Sequence, residues 1–196
     1  GGHWDQRSIV LLRAAFGERT LEAGEQRVSA RFTLPVDAPP THRGPTVFVR
    51  YELDVHVSIP WWPDRRELYV LPVVQRVQPP AAESPKVFTN AKTTPSDLHV
   101  EATFDAMTLE QGGAVGGVVS FANVAGKRIK SVELVFQSRE AVMTAGGLQW
   151  ADGATYVSKL LDRAPKEGES TPFRVRCPED ATASFATRRT RLVWTV

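Results

Sequence analysis

Apolar and polar positions alternate with a period of two along residues 46–59. Val47, Val49, Tyr51, Leu53, Val55, Val57 and Ile59 fall on odd positions, with Arg50, Glu52, Asp54, His56 and Ser58 between them. A period of two puts the two sets on opposite faces of an extended chain, so this run predicts a strand buried on its odd-numbered face. The thirteen residues from Val47 to Ile59 at about 3.3 Å each would reach roughly 43 Å, longer than most strands, and a bend or bulge is expected along them. Upstream, Val28, Ala30, Phe32 and Leu34 alternate with Arg27, Ser29, Arg31 and Thr33, which predicts a second strand joined to the first by the loop at 35–45. Residues 8–16 and 67–77 are further apolar segments of strand length. Pro72 removes a ladder donor from the latter, which should be an edge strand or be broken there.

Four prolines and small polar residues without a sustained period occupy 78–97. They predict a linker, with a first domain at 1–80, the linker at 81–97 and a second domain at 98–196. In the second domain Leu98, Val100, Ala102 and Phe104 alternate, a Gly-rich turn feeds a strand with Val119 and Phe121 on one face, and Val132, Leu134 and Phe136 alternate again. Residues 156–161, 172–177 and 190–196 complete the set. The nearest approach to a helical period, residues 154–164, is short and reads equally as a strand. The whole chain is predicted to be all-β, with turn signals at the spacing of sandwiches.

Composition narrows the function classes. With 196 residues, 42% hydrophobic and 23% charged, the chain is ordinary globular protein. No run approaches the roughly 18 apolar residues of a membrane span, and the opening GGHWDQRS has no signal-peptide pattern, so a non-exported protein without a transmembrane segment is expected. The net charge of +2 is spread evenly, which argues against nucleic acid as a partner. Cys177 is the single cysteine, which rules out an intrachain disulfide and fits a reducing cytoplasm. The excess of Arg over Lys, with much Ala, Gly and Pro, points to a bacterial source.

Two segments superpose, one from Gly24 and one from Gly168. Each opens Gly-Glu, runs through an alternating stretch to Leu34-Pro35 or Cys177-Pro178, and returns through a second alternating stretch. Pro35 to Tyr51 is sixteen residues, and so is Pro178 to Trp194. The shared order predicts two copies of one sandwich unit, with both aromatics on equivalent inward faces. The copies are cut at different places, so both sandwiches are expected to be incomplete. A fragment of a longer chain is the favoured explanation, over strand complementation by another chain.

Residues 20–64, with their Gly-Glu turn, strand ending in Leu34-Pro35 and Tyr51 strand closing in a proline turn, resemble the later part of an arrestin N-domain. Residues 108–137, with a Gly-rich turn, a Gly-Val strand and Lys127-Arg-Ile-Lys-Ser-Val132, resemble the opening of an arrestin C-domain. The likeness extends to bacterial sporulation-control proteins and retromer-type arrestin relatives. It implies two tandem immunoglobulin-like β-sandwiches acting as a non-catalytic adaptor or scaffold for protein partners. The chain departs from eukaryotic members in lacking a Pro-Pro-x-Tyr motif, since Ala81 and Ala82 follow Pro79-Pro80, and in lacking the early basic strand of the receptor-binding members.

The segment singled out for binding is 59–66. Trp61 and Trp62 stand adjacent in a proline-bounded turn and cannot both point inward from an extended backbone, and Arg65 and Arg66 follow, a composition enriched at interface hot spots. Trp61, Trp62, Arg65 and Arg66 are therefore the candidate protein-binding residues. The alternatives are that the tryptophans pack at the sandwich end and the domain junction, or form a stacking platform for a carbohydrate or lipid ligand. No catalytic, cofactor-binding or metal-ligating residue is proposed. His56 and His99 should be solvated on polar faces, Cys177 should be a buried thiol, GGAVGG at 112–117 should be a β-turn, and Glu52 and Asp54 should be a solvated pair. Arg188, Arg189 and Arg191, with His42 and Arg43 in the equivalent loop, could form an anion contact, against which the expected reading is that such scattered loop arginines are solvated.

Overall fold

The computed structural model describes residues 11–18, 20, 22–75, 84–90, 94 and 97–196. The described residues contain strands and turns and no helix, in keeping with the all-β expectation and with arrestin-like β-sandwiches. The chain divides into two compact units, residues 1–38 and residues 39–196.

In the first unit no described residue lies in a strand. The run at 27–34 was expected to form one, but nothing among the described residues pairs with it, and Val28 and Phe32 are exposed. Alternation makes a segment competent to be a strand; a ladder partner makes it one. Of the expected strand at 8–16, residues 8–10 lie outside the described residues and 11–16 are in no ladder.

The second unit holds all the strands: β1 (His42–Arg43), β2 (Phe48–Val49), β3 (Tyr51–Val57), β4 (Arg65–Leu71), β5 (Lys86–Thr89), β6 (His99–Phe104), β7 (Ala114–Ala122), β8 (Val132–Thr144), β9 (Gly147–Leu161), β10 (Ser170–Arg176), β11 (Phe185–Ala186) and β12 (Thr190–Thr195). They form two four-stranded sheets, β10-β7-β6-β5 and β11-β12-β8-β9, and two ribbons, β1-β2 and β3-β4. The long run at 46–59 is interrupted at Arg50, which supplies the expected break. β4 ends at Leu71, immediately before Pro72. Residues 154–161, ambiguous in sequence, belong to β9. β5 falls inside the stretch read as a linker and pairs with β6.

The two four-stranded sheets face each other across a core of Val115, Val119 and Phe121 from β7, Phe136 from β8 and Phe173 and Val175 from β10. Val100, Ala102 and Phe104 of β6, Leu134 of β8 and Trp194 of β12 pack against it, as their alternation predicts. Each such side chain taken from water contributes about 1.5–3 kcal/mol. Phe136 stacks on Trp194 with ring centroids 4.7 Å apart. Gly117 is required here, because a Cβ would strike the Thr103 carbonyl and the Phe173 ring. A second, smaller core joins the β1-β2 ribbon to the other sheet through Val47, Val49, Phe185 and Leu192.

The two proline-to-aromatic spans have matching local geometry. Ala38 N donates to Pro35 O at 3.0 Å, and Ala181 N to Pro178 O at 3.2 Å. Tyr51 Oη donates to Pro39 O at 2.6 Å and Trp194 Nε1 to Thr182 O at 2.9 Å, each twelve residues back along the chain. Gly24 and Gly168, which open the two spans, both have positive φ.

Candidate docking site

β3 and β4 form a ribbon in which Tyr51 lies opposite Leu71, Leu53 opposite Tyr69, Val55 opposite Glu67 and Val57 opposite Arg65. Directly opposed residues share a face, so one face carries Tyr51, Leu53, Val55, Val57, Tyr69 and Leu71. The sequence predicted this face to be buried. Tyr51 and Leu53 are half-buried, but Val55, Val57, Tyr69 and Leu71 are exposed, because among the described residues no layer covers the ribbon beyond Leu53. On the other face Arg66 makes a two-pronged contact with Asp54, Nε to Oδ1 at 2.9 Å and Nη2 to Oδ2 at 2.7 Å, which holds the Asp54 carboxyl below its ordinary range.

The apex of this ribbon is Pro60-Trp61-Trp62-Pro63, and its backbone is closed on itself. Trp62 N donates to Ile59 O at 3.2 Å, and Ile59 N donates to Asp64 Oδ1 at 3.2 Å. His56 Nε2 lies 3.0 Å from Asp64 Oδ2. The bond from Ile59 N, followed by those from His56 and Ser58, lowers the Asp64 carboxyl. Trp61 sits at φ 63°, a left-handed conformation that costs a bulky residue about 1–2 kcal/mol. Its side chain is fully exposed at 102%, and Trp62 is 65% exposed. Neither tryptophan points inward. Of the four candidate residues, Trp61 and Trp62 stand at the apex, Arg65 flanks them on the apolar face, and Arg66 is turned back to Asp54.

A second exposed feature lies on the sheet β11-β12-β8-β9. β9 runs for 15 residues and is outermost, so one whole side of its backbone faces no strand among the described residues. Trp150, Tyr156 and Val157 stand exposed along it. Tyr156 extends the aromatic row of Phe136 and Trp194, and the Arg139 guanidinium lies 5.4 Å from the centre of the Trp150 ring.

The arrangement that sequence reasoning missed is centred on Glu140. Its side chain is 1% exposed and accepts four hydrogen bonds, from His42 Nε2 at 2.8 Å, Thr46 N at 2.9 Å, Thr46 Oγ1 at 2.9 Å and Val47 N at 2.7 Å. Burial pushes the carboxyl up, and the bonds from His42, Thr46 and Val47 outweigh it, so the group stays below its ordinary value. His42 Nδ1 meets Thr182 Oγ1 at 3.1 Å. His42 was expected in a loop beside Arg43; it lies in β1 and is buried, its ring between this carboxylate and Phe185. A signal existed, since Val132, Leu134, Phe136, Ser138, Glu140 and Val142 share one parity on β8 and put a carboxylate among inward positions.

The remaining candidates behave as ordinary structure. His56 is exposed beside Asp64, and His99 is half-buried at the start of β6. Cys177 is buried, which raises its thiol. Residues 112–113 make a turn closed by Gly113 N on Glu110 O, and they lead into β7. Glu52 pairs with Arg50 at 2.8 Å, and Asp54 with Arg66. A cleft of about 260 Å³ lies between Pro40, Pro72, Val73, Gln111 and Asp180, away from both tryptophans.

Residues 4–79 match the family model described as arrestin (or S-antigen), N-terminal domain. No curated protein matches the chain.

Proposed function

We propose that this arrestin-like chain is a non-catalytic adaptor that docks other proteins along a free sheet edge. One observation carries the reading: β9 offers 15 residues of backbone with one side unpaired among the described residues. Such an edge is a template for β-augmentation, in which a partner's extended segment gains main-chain hydrogen bonds while flanking pockets read alternate side chains. The aromatic row behind Tyr156 and the Arg139–Trp150 pair would supply that side-chain selectivity.

The domain plan proposed with it is an N-like unit at 1–80 and a C-like unit at 98–196, two copies of one sandwich unit, joined by residues 81–97, whose β5 pairs onto the C-like sheet. The matched Pro35/Tyr51 and Pro178/Trp194 geometry supports that plan. A bacterial, cytoplasmic setting is the accompanying proposal, supported by the lone cysteine and the arginine-rich composition.

The test is selection of binding peptides from a random display library, followed by amide hydrogen exchange of the complex. Selected peptides should slow exchange along residues 148–160, and Val157→Lys should weaken them. Peptides that bind without protecting β9 would overturn the reading, as would a library that yields no binder.

A further inference from the structure

Asp152 and Lys159 are the only charged residues of β9. Its pairing with β8 sets Arg139 opposite Asp152, Gln137 opposite Thr155, Val135 opposite Val157 and Glu133 opposite Lys159. Residues 153 and 154 fall together opposite Ser138, and this bulge keeps an even-numbered acid and an odd-numbered base on one face of the strand. Glu133, Val135, Val157 and Lys159 are exposed while Phe136 and Glu140 are buried, so the face is the one turned away from the core.

An edge strand can pair antiparallel with its own copy about a two-fold axis, which opposes residues at equal distances on either side of that axis. The position of the axis decides which residues meet. Lys159 is three residues past Tyr156, and Asp152 is four before it, or three once the bulge is counted as a single position. An axis at Tyr156 therefore sets each Asp152 against Lys159 of the other copy. An axis at Thr155 would set Asp152 against Val157, one at Val157 would set Lys159 against Thr155, and one at Asp152 or Lys159 would oppose like charges.

The Tyr156 register also continues what each sheet already holds. Arg139 pairs with Asp152 at 3.0 Å, and Glu133 lies opposite Lys159. Across the joint the outer face would read Arg139, Asp152, then Lys159 and Glu133 of the second copy, a row of alternating sign, and the two-fold repeats it. On the inner face the exposed Tyr156 ends the aromatic row of Trp194 and Phe136, and its counterpart would continue the row into the second molecule.

Resting on the reading of β9 as a docking edge, we propose that its occupant is β9 of a second copy of this chain, paired antiparallel about Tyr156. The two four-stranded sheets become one sheet of eight strands. A peptide that docks on β9 must then displace the second copy, so self-pairing governs access to the edge.

The test is sedimentation velocity of the whole chain over a dilution series, with Asp152→Lys and Lys159→Glu measured alone and mixed in equal amounts. The native chain should be a dimer that dissociates on dilution. Each variant alone should dimerise about tenfold or more weakly, because two attractive pairs become two repulsive ones. The mixture should regain the dimer, since each chain then offers the charges its partner lacks. Both side chains are exposed, and unchanged melting temperatures verify that the variants are folded. A native chain that stays monomeric overturns the proposal, as does a dimer indifferent to either variant or a mixture that remains monomeric. The docking reading is scored separately, in monomeric Lys159→Glu: selected peptides should still slow amide exchange along β9, whichever way the dimer test falls.

Discussion

Glu140 Oε1 lies 2.8 Å from His42 Nε2, across 98 residues of sequence. Together with the amides of Thr46 and Val47 this contact clips the β1-β2 ribbon to the sheet through one buried carboxylate. Removing the carboxylate strands several buried donors at once, a more costly change than losing a surface pair. Glu140→Ala should therefore destabilise the protein by about 3–5 kcal/mol, and Glu140→Gln by less, because the amide keeps one acceptor oxygen. Urea unfolding of the two variants beside the native chain checks this.

Acidity should act on the same clip. The Glu140 carboxyl is lowered in the folded chain relative to its ordinary value of 4.5, so its contribution is fully present above that value and is lost as the pH falls through the folded one. The gap in urea midpoint between the native chain and Glu140→Gln should be widest near neutrality and shrink as the pH falls below 4.5 and through the lowered value of the folded chain. A gap that stays constant with pH would mean the carboxylate is not ionised in the folded protein.

Gly44 lies directly over this carboxylate. A Cβ there would land on the Glu140 carboxyl and 2.7 Å from His42 Nε2, and both groups are buried and held by hydrogen bonds that a retreat would break. Gly44→Ala should cost about 2 kcal/mol or more. The double variant Gly44→Ala, Glu140→Gln should be less than additive, because the clash and the lost bonds involve the same group. Thermal melts of the single and double variants measure the coupling.

Trp61 offers the opposite sign. At φ 63° an indole side chain is strained where glycine is not, and the ring makes no contact that folding would lose. Trp61→Gly should raise stability slightly or leave it level: relief of about 1 kcal/mol of strain is partly offset by glycine's greater freedom in the unfolded chain. A fall of more than that amount would mean the ring is packed.

Glu169 should titrate far below other carboxyls. The Arg163 guanidinium, which meets it at 2.7 Å and 2.9 Å, and the Lys166 amide at 2.6 Å together lower it to about 2. In an NMR pH titration its carboxyl resonance should stay ionised through the range where other glutamates protonate. Arg163→Gln should bring it back toward 4.5.

Alternation located the inward faces of the sandwich strands, with Val119 and Phe121 on β7, Phe173 and Val175 on β10, and Phe136 and Trp194 at its centre, whereas the equally regular run at 27–34 lies in no ladder among the described residues. Alternation identifies the apolar face of a strand without identifying what covers it, which is why Val55 and Val57 were expected to be buried and stand exposed. It is also silent on two-residue strands, and β1, with His42 inside it, was lost in the loop at 35–45. At the apex, composition flagged Trp61 and Trp62, but the turn that commits Asp64 and the left-handed φ at Trp61 are products of three-dimensional closure. The Glu140 clip was half legible: parity put the carboxylate inward, and its partners lie too far along the chain to be inferred from spacing.

The Glu140 clip also sets an order of events during synthesis. Val47 N, whose bond to Glu140 spans 93 residues, emerges from the ribosome long before its acceptor. Until β8 has been made, the β1-β2 ribbon has neither its carboxylate nor the Phe185 and Leu192 that complete its small core. The β1-β2 ribbon must therefore wait, with its donors served by water, for a residue made 93 positions later. Closure of this clip should be among the last steps in acquiring the native state.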